Sequence, residues 1–128
     1  MGYAPSYDTK IQTKTVIERI ETWHTDYIDW NYPFADEPNG STDKDRNAKQ
    51  EQYLLEIHRA FSEGETVYAS SYGGWPRIWE RVIRVGMCSA WPYWRPRPTV
   101  LVSGTLGPIS IDWYHITGVD VRQPTPRG

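Results

Sequence analysis

Between Trp91 and Arg97 the chain reads Trp-Pro-Tyr-Trp-Arg-Pro-Arg. Side chains of these types at this density have two uses outside a core. Indole and phenol rings stack on bases or fill pockets in a partner, and guanidinium groups hold phosphate or carboxylate through paired N–H donors. Pro92, Pro96 and Pro98 limit the freedom of the segment, and a stiff loop loses less entropy when it binds. Trp75 and Trp79 lie shortly before it. The candidate partner-binding set is therefore Trp75, Trp79, Trp91, Tyr93, Trp94, Arg95 and Arg97. The same residues admit an internal use. Trp91 and Trp94 could fold back as a lid over the sheet, with the arginines stacked on their rings and solvating the surface.

Charge is sorted along the chain in the same sense. Residues 1–65 hold 13 acids and 7 bases, a net of −6, and residues 66–128 hold 3 acids and 7 bases, a net of +4. All seven bases of the second half are arginine, and five of the seven tryptophans fall there. Arginine with tryptophan is the composition of interface hot spots. The overall −2 gives no case for general affinity to nucleic acid or membranes.

Three other groups could carry chemistry. His24, Asp26 and Asp29, with His58 or His115, could form a metal site or an acid–base pair. His24 and Asp26 cannot share a helix face at a spacing of two, and the set matches no ligand motif, so a solvated segment with an incidental histidine accounts for it better. Cys88 is the lone cysteine. It permits no intramolecular disulfide and no cysteine zinc site, and free cysteine is more often buried than reactive. The acids Asp36, Glu37, Asp43 and Asp45 are interleaved with Lys44, Arg46 and Lys49, as expected of a solvated helix start rather than a mimic of nucleic acid. No nucleophile elbow, P-loop, dinucleotide fingerprint or zinc-protease motif is present. The expectation is a protein that is not an enzyme, with no cofactor and no metal.

The elements that must position these residues follow from periodicity. The length suits one domain, 1–128, with a loose arm at 1–9 and a free tail at 122–128. Val16, Ile17, Ile20, Trp23, Tyr27 and Ile28 recur at helical spacing and predict a helix over 12–30, against a strand over Ile11–Trp23. Asn31–Thr42 is a loop. Ser41 or Thr42 caps a second helix over about 43–63, with an apolar stripe of Leu54, Leu55, Ile57, His58 and Phe61 and a stop at Gly64. Strands follow at 66–70, 99–103 and 109–115, with a turn at Gly104–Pro108 and a last short strand at 116–121; over 77–87 the β-branched run Val82-Ile83-Arg84-Val85 favours a strand, against a short helix from Pro76 to Gly86 with a Glu80–Arg84 pair. Residues 89–98 are a loop. The predicted class is α+β: one or two N-terminal helices packed on a C-terminal antiparallel β-meander of three to four strands.

Arg84-Val85-Gly86-Met87, Trp91-Pro92-Tyr93-Trp94-Arg95-Pro96 and Thr99-Val100-Leu101-Val102 together resemble small accessory proteins carried by phages of actinobacteria. Those proteins also join a strand to a Trp-Pro-aromatic-Trp loop and to a hairpin ending in an aromatic cluster like Trp113-Tyr114. The resemblance covers roughly the last 45 residues by this strand-and-turn reading. It implies a protein acting inside a bacterial host, either binding and blocking a host factor or serving as a minor virion part. With the lone cysteine, and with no signal peptide or membrane-spanning run, it leads to the expectation of a cytoplasmic binding protein with a host protein as partner. Nucleic acid, or a second copy in a virion assembly, are the alternative partners.

Overall fold

A computed structural model of the protein describes residues 21–36, 43–71 and 78–122. Within them the order is β1 (Glu21–Thr25), α1 (Lys44–Ser62), β2 (Thr66–Ser71), β3 (Glu80–Ala90), β4 (Arg97–Val102), β5 (Ile109–Asp112), a 3-10 turn (Trp113–His115) and β6 (Ile116–Arg122). The class is α+β, but the arrangement departs from the expected one. The helix sits between the first two strands rather than ahead of a meander, and six antiparallel strands make up most of the fold.

Residues 21–25 are strand, not the end of a helix. Thr22, Trp23 and Thr25 are β-formers, and pairing with Ser89, Cys88 and Met87 of β3 outweighs the helical spacing of the apolar residues around them. Residues 12–20, like the arm at 1–9, lie outside the described set. The helix at 44–62 agrees with the sequence reading apart from its cap. Asp43, not Ser41 or Thr42, accepts from the Arg46 amide (3.0 Å), supplying one of the acceptors a helix start needs. Gly64 at φ +82 stops it, with Gly64 N–H donating to Phe61 C=O and Glu65 N–H to Ala60 C=O. Only glycine holds that left-handed position without a Cβ penalty. The buried stripe is Asn47, Gln50, Leu54, Ile57 and Ala60. Leu55 lies one step off it and is exposed.

The sheet runs β5-β4-β3-β2-β6. Long β3 carries β4 on one edge, while β2 and β1 share the other, β2 at its start and β1 at its end. Val85, Val100 and Ile111 lie directly opposite one another, as do Val82 and Val102. Val82 and Val85 are three apart and would face opposite ways on a regular strand. A register shift between Val82 and Arg84 restores both to the buried face, which is what a bulge does. With Val67, Trp113 and Ile116 these valines form one core against Leu54, Ile57 and Ala60 of α1. The strand expected over 109–115 breaks at Asp112. The Asp112 side chain accepts from Tyr114 N–H (3.0 Å) and caps the 3-10 turn, which carries the chain past α1 so that β6 pairs with β2 at the far edge. The loop at 89–98 is shorter than expected, because β3 runs to Ala90 and β4 begins at Arg97. Arg122, placed in the tail by sequence, ends β6.

Candidate functional site

The loop 91–96 joins β3 to β4. The amides of Tyr93 and Trp94 both donate to Ala90 C=O at 2.9 Å, and the Trp91–Pro92 bond is cis. Trp94 holds φ +55, a conformation that costs a non-glycine residue about 1–3 kcal/mol and persists only where its surroundings impose it.

Those surroundings are a buried polar cluster. Thr99 lies opposite Asp112 across β4 and β5, and Arg97 is two residues from Thr99 on the same strand, so Arg97 and Asp112 share a face and meet diagonally. The guanidinium grips the carboxylate with two bonds, Nε–Oδ1 at 2.6 Å and Nη2–Oδ2 at 2.9 Å. Their side chains are 1% and 11% exposed. The Tyr93 ring covers the guanidinium carbon at 3.8 Å, and Tyr32 stands at 5.9 Å. The Tyr93 hydroxyl is 3.1 Å from His115 Nε2. Thr99 Oγ1 donates to the Arg97 carbonyl at 2.7 Å. Tyr93 thus stacks on one anchor and bonds another.

The structure therefore divides the sequence-predicted set. Tyr93 and Arg97 face inward and tether the loop. Trp91 and Trp94 are 72% and 58% exposed, and Arg95 between the two anchors is exposed as well. Trp79 is at the other end of the sheet, about 35 Å along β3 at the rise of an antiparallel strand. Its ring packs at Gly118, where an added Cβ would come within 2.9 Å of it. Trp75 lies outside the described residues. The ring that covers the buried guanidinium is that of Tyr93, while both tryptophans of the loop are mostly exposed.

A cavity of about 40 Å³ lies under the loop, lined by Cys88, Trp91, Tyr93, Arg97, Ser110 and Asp112 among others. It is of a size to hold water and not a substrate. Burial, reinforced by the charge of Glu21, pushes the Cys88 thiol up from an ordinary 9.0 to about 11, so it stays protonated at neutral pH and is a poor nucleophile there.

The histidines are dispersed. His24 Nε2 meets Ser89 Oγ at 2.7 Å, Asp26 pairs with Arg84 at 2.7 Å, His58 stands edge-on to Trp30, and His115 belongs to the loop anchor. Among the described residues no group of three His, Cys, Asp or Glu side chains could hold a metal ion. Three arginines of the second half likewise stand apart, one on each of β3, β4 and β6. Arg84, Arg97 and Arg122 pair with Asp26, Asp112 and Asp120, which leaves no continuous basic stripe among them.

The Arg97–Asp112 pair escaped the sequence reading, yet a signal for it exists. A hairpin over 97–112 turning at 103–108 sets Thr99 against Asp112, which puts an acid within diagonal reach of Arg97. Comparison with known proteins adds nothing to this geometry: no family model matches the chain, and neither a curated protein nor a solved structure matches it. Among the described residues no helix is long and apolar enough to cross a membrane.

Proposed function

We propose that the protein is a non-enzymatic binding protein that captures another protein through Trp91, Trp94 and Arg95. The observation that carries this reading is the contrast within one short loop. Its ends are tied by a bidentate buried ion pair and a Tyr–His hydrogen bond, while two tryptophans stand out into solvent. Large apolar rings are left exposed at a cost, and rigid exposed tryptophans beside an arginine are the usual centre of a protein–protein hot spot. The unfavourable backbone at Trp94 fits the same purpose, since such strain collects at recognition sites. In the setting implied by the likeness to actinobacterial phage accessory proteins, the partner is a host protein whose activity is modulated or blocked, met in the host cytoplasm.

Nucleic acid is the weaker alternative. Stacking rings are present, but Arg84, Arg97 and Arg122 of the basic half already hold carboxylates, so the charge of these three is offset before any phosphate arrives.

The test is capture of partners from a bacterial host lysate treated with nuclease, comparing the wild type with Trp91→Ala/Trp94→Ala/Arg95→Ala. All three side chains are exposed, so the variant should melt within about 1 kcal/mol of the wild type and lose the partner. Capture unchanged by the triple substitution refutes the reading.

A further inference from the structure

The buried stripe of α1 contains a glutamine whose place the apolar core does not explain. Gln50 is 3% exposed, and its Nε2 donates to the carbonyls of Tyr114 and Ile116, the latter at 3.3 Å. Those two carbonyls flank His115 in the 3-10 turn. Arg46 stands on the same face of the helix, one turn earlier, with its guanidinium carbon 4.5 Å from the centre of the Tyr114 ring. The helix therefore holds the turn on either side of His115.

His115 passes this hold to the tryptophan loop. Its Nε2 lies 3.1 Å from the Tyr93 hydroxyl, and the Tyr93 ring covers the Arg97 guanidinium at 3.8 Å. Of residues 91–96, Tyr93 alone is not exposed. It also sits at the centre of the loop's backbone turn. The Tyr93 and Trp94 amides both donate to Ala90 C=O, and Trp94, the next residue, holds φ +55. A side chain fixed at 93 thus fixes the turn that sends Trp94 outward.

We propose that Gln50 and Tyr93 are positioning residues for the tryptophan loop, linked through the turn that carries His115. Gln50 sets where the imidazole stands, the imidazole holds the Tyr93 hydroxyl, and the Tyr93 ring sets the direction of Trp94. A loop held in this way is ordered before a partner arrives and gives up less entropy on binding. The consequence for binding rests on the reading of Trp91, Trp94 and Arg95 as the contact surface. The positioning itself is a property of the free protein.

Hydrogen exchange of the amides at 93 and 94 in the free chain tests the positioning. Tyr93→Phe keeps the ring over Arg97 and removes the hydroxyl. Protection of both amides should fall about two- to tenfold, the worth of one ordinary hydrogen bond. His115→Ala should match it. Gln50→Met keeps the length of the side chain and removes its donors. It should lower the same two amides, and in the Tyr93→Phe background it should lower them no further, because its influence passes through that hydroxyl. A glutamine that merely stabilised the fold would act on the β3–β4 ladder amides, which open with the whole molecule, and would leave the locally opening loop amides unchanged. If Gln50→Met does not fold, Gln50→Asn, which withdraws the amide by one methylene, takes its place. Loop amides indifferent to Gln50, or losses that multiply in the double variant, overturn the proposal.

Partner capture separates this inference from the reading on which it rests. Tyr93→Phe leaves Trp91, Trp94 and Arg95 in place and should still retain less partner from nuclease-treated host lysate. Full capture by Tyr93→Phe, where Trp91→Ala/Trp94→Ala/Arg95→Ala loses the partner, overturns the positioning and spares the contact surface. Capture undiminished in the triple variant overturns the contact surface, and exchange of the loop amides then decides the positioning by itself.

Discussion

Removing one member of the Arg97–Asp112 pair strands the other where water barely reaches. Breaking such a pair costs about 3–5 kcal/mol, because the remaining charge keeps its desolvation penalty without its counter-ion. Asp112→Leu should fall at the upper end. The guanidinium left behind cannot lose its proton, and the 3-10 turn also loses the carboxylate that accepts from Tyr114 N–H, a cap worth about 1 kcal/mol. Arg97→Met should fall at the lower end, since a stranded carboxylate can take up a proton. The double variant Arg97→Met/Asp112→Leu carries no buried charge. It should be more stable than Asp112→Leu alone, with a coupling of about 2–3 kcal/mol across the cycle. A domain of this size stands only about 5–15 kcal/mol above its unfolded state, and each kcal/mol moves the melting midpoint by about 3–5 °C. Far-ultraviolet circular dichroism during thermal and urea unfolding reads the whole cycle. Single variants that each lose under about 1 kcal/mol, or losses that simply add, would refute the claim that this pair anchors the loop.

Gly86 approaches β1 so closely that a Cβ would stand 1.9 Å from the Thr25 carbonyl oxygen; Gly86→Ala must therefore displace β1 and should cost at least about 2 kcal/mol, and a neutral result would show that the two strands do not pack as described. The Cys88 thiol is pushed up to about 11 from 9.0. A raised value favours the folded state fully below pH 9, and that advantage declines as the pH climbs from 9 toward 11. Cys88→Ala should flatten this alkaline loss of stability, and the native thiol should resist iodoacetamide at pH 8 until urea unfolds the chain. Rapid alkylation of the folded protein would contradict the burial. The triple substitution in the tryptophan loop should abolish partner capture at nearly unchanged melting temperature.

Local signals were legible where one physical rule acts alone. The helix at 44–62 shows in the helical spacing of Leu54, Ile57 and Phe61 and in its terminating glycine, both contained within a few neighbouring residues, although its cap falls on Asp43 and Leu55 lies outside the buried stripe. The strands at 66–71 and 97–102 show in their β-branched runs, and the hairpin turn in its glycines and proline. Legibility failed where long-range pairing outvotes local spacing. Trp23, Tyr27 and Ile28 have helical spacing, yet Glu21–Thr25 is held as strand by β3, more than sixty residues away. Trp113 alternates with Ile111 as though on one strand, but the Asp112 cap turns the chain there and sends it to the other edge of the sheet.

The candidate site divides along the same line. By itself the sequence determined that the second half concentrates tryptophan and arginine, that the loop at 91–97 is stiffened by proline, and that no familiar catalytic motif is present. These are matters of composition and short spacing. Only the tertiary structure decided which of those side chains face outward. Tyr93 and Arg97 turned in because a hairpin register brings Asp112 beside Arg97 and a 3-10 turn brings His115 to Tyr93, whereas Trp91 and Trp94 found no partner of that kind within the fold. An arginine alone in sequence carries no mark of burial. It becomes an anchor only when an acid on another strand, fixed by backbone pairing, repays the cost of taking its charge out of water.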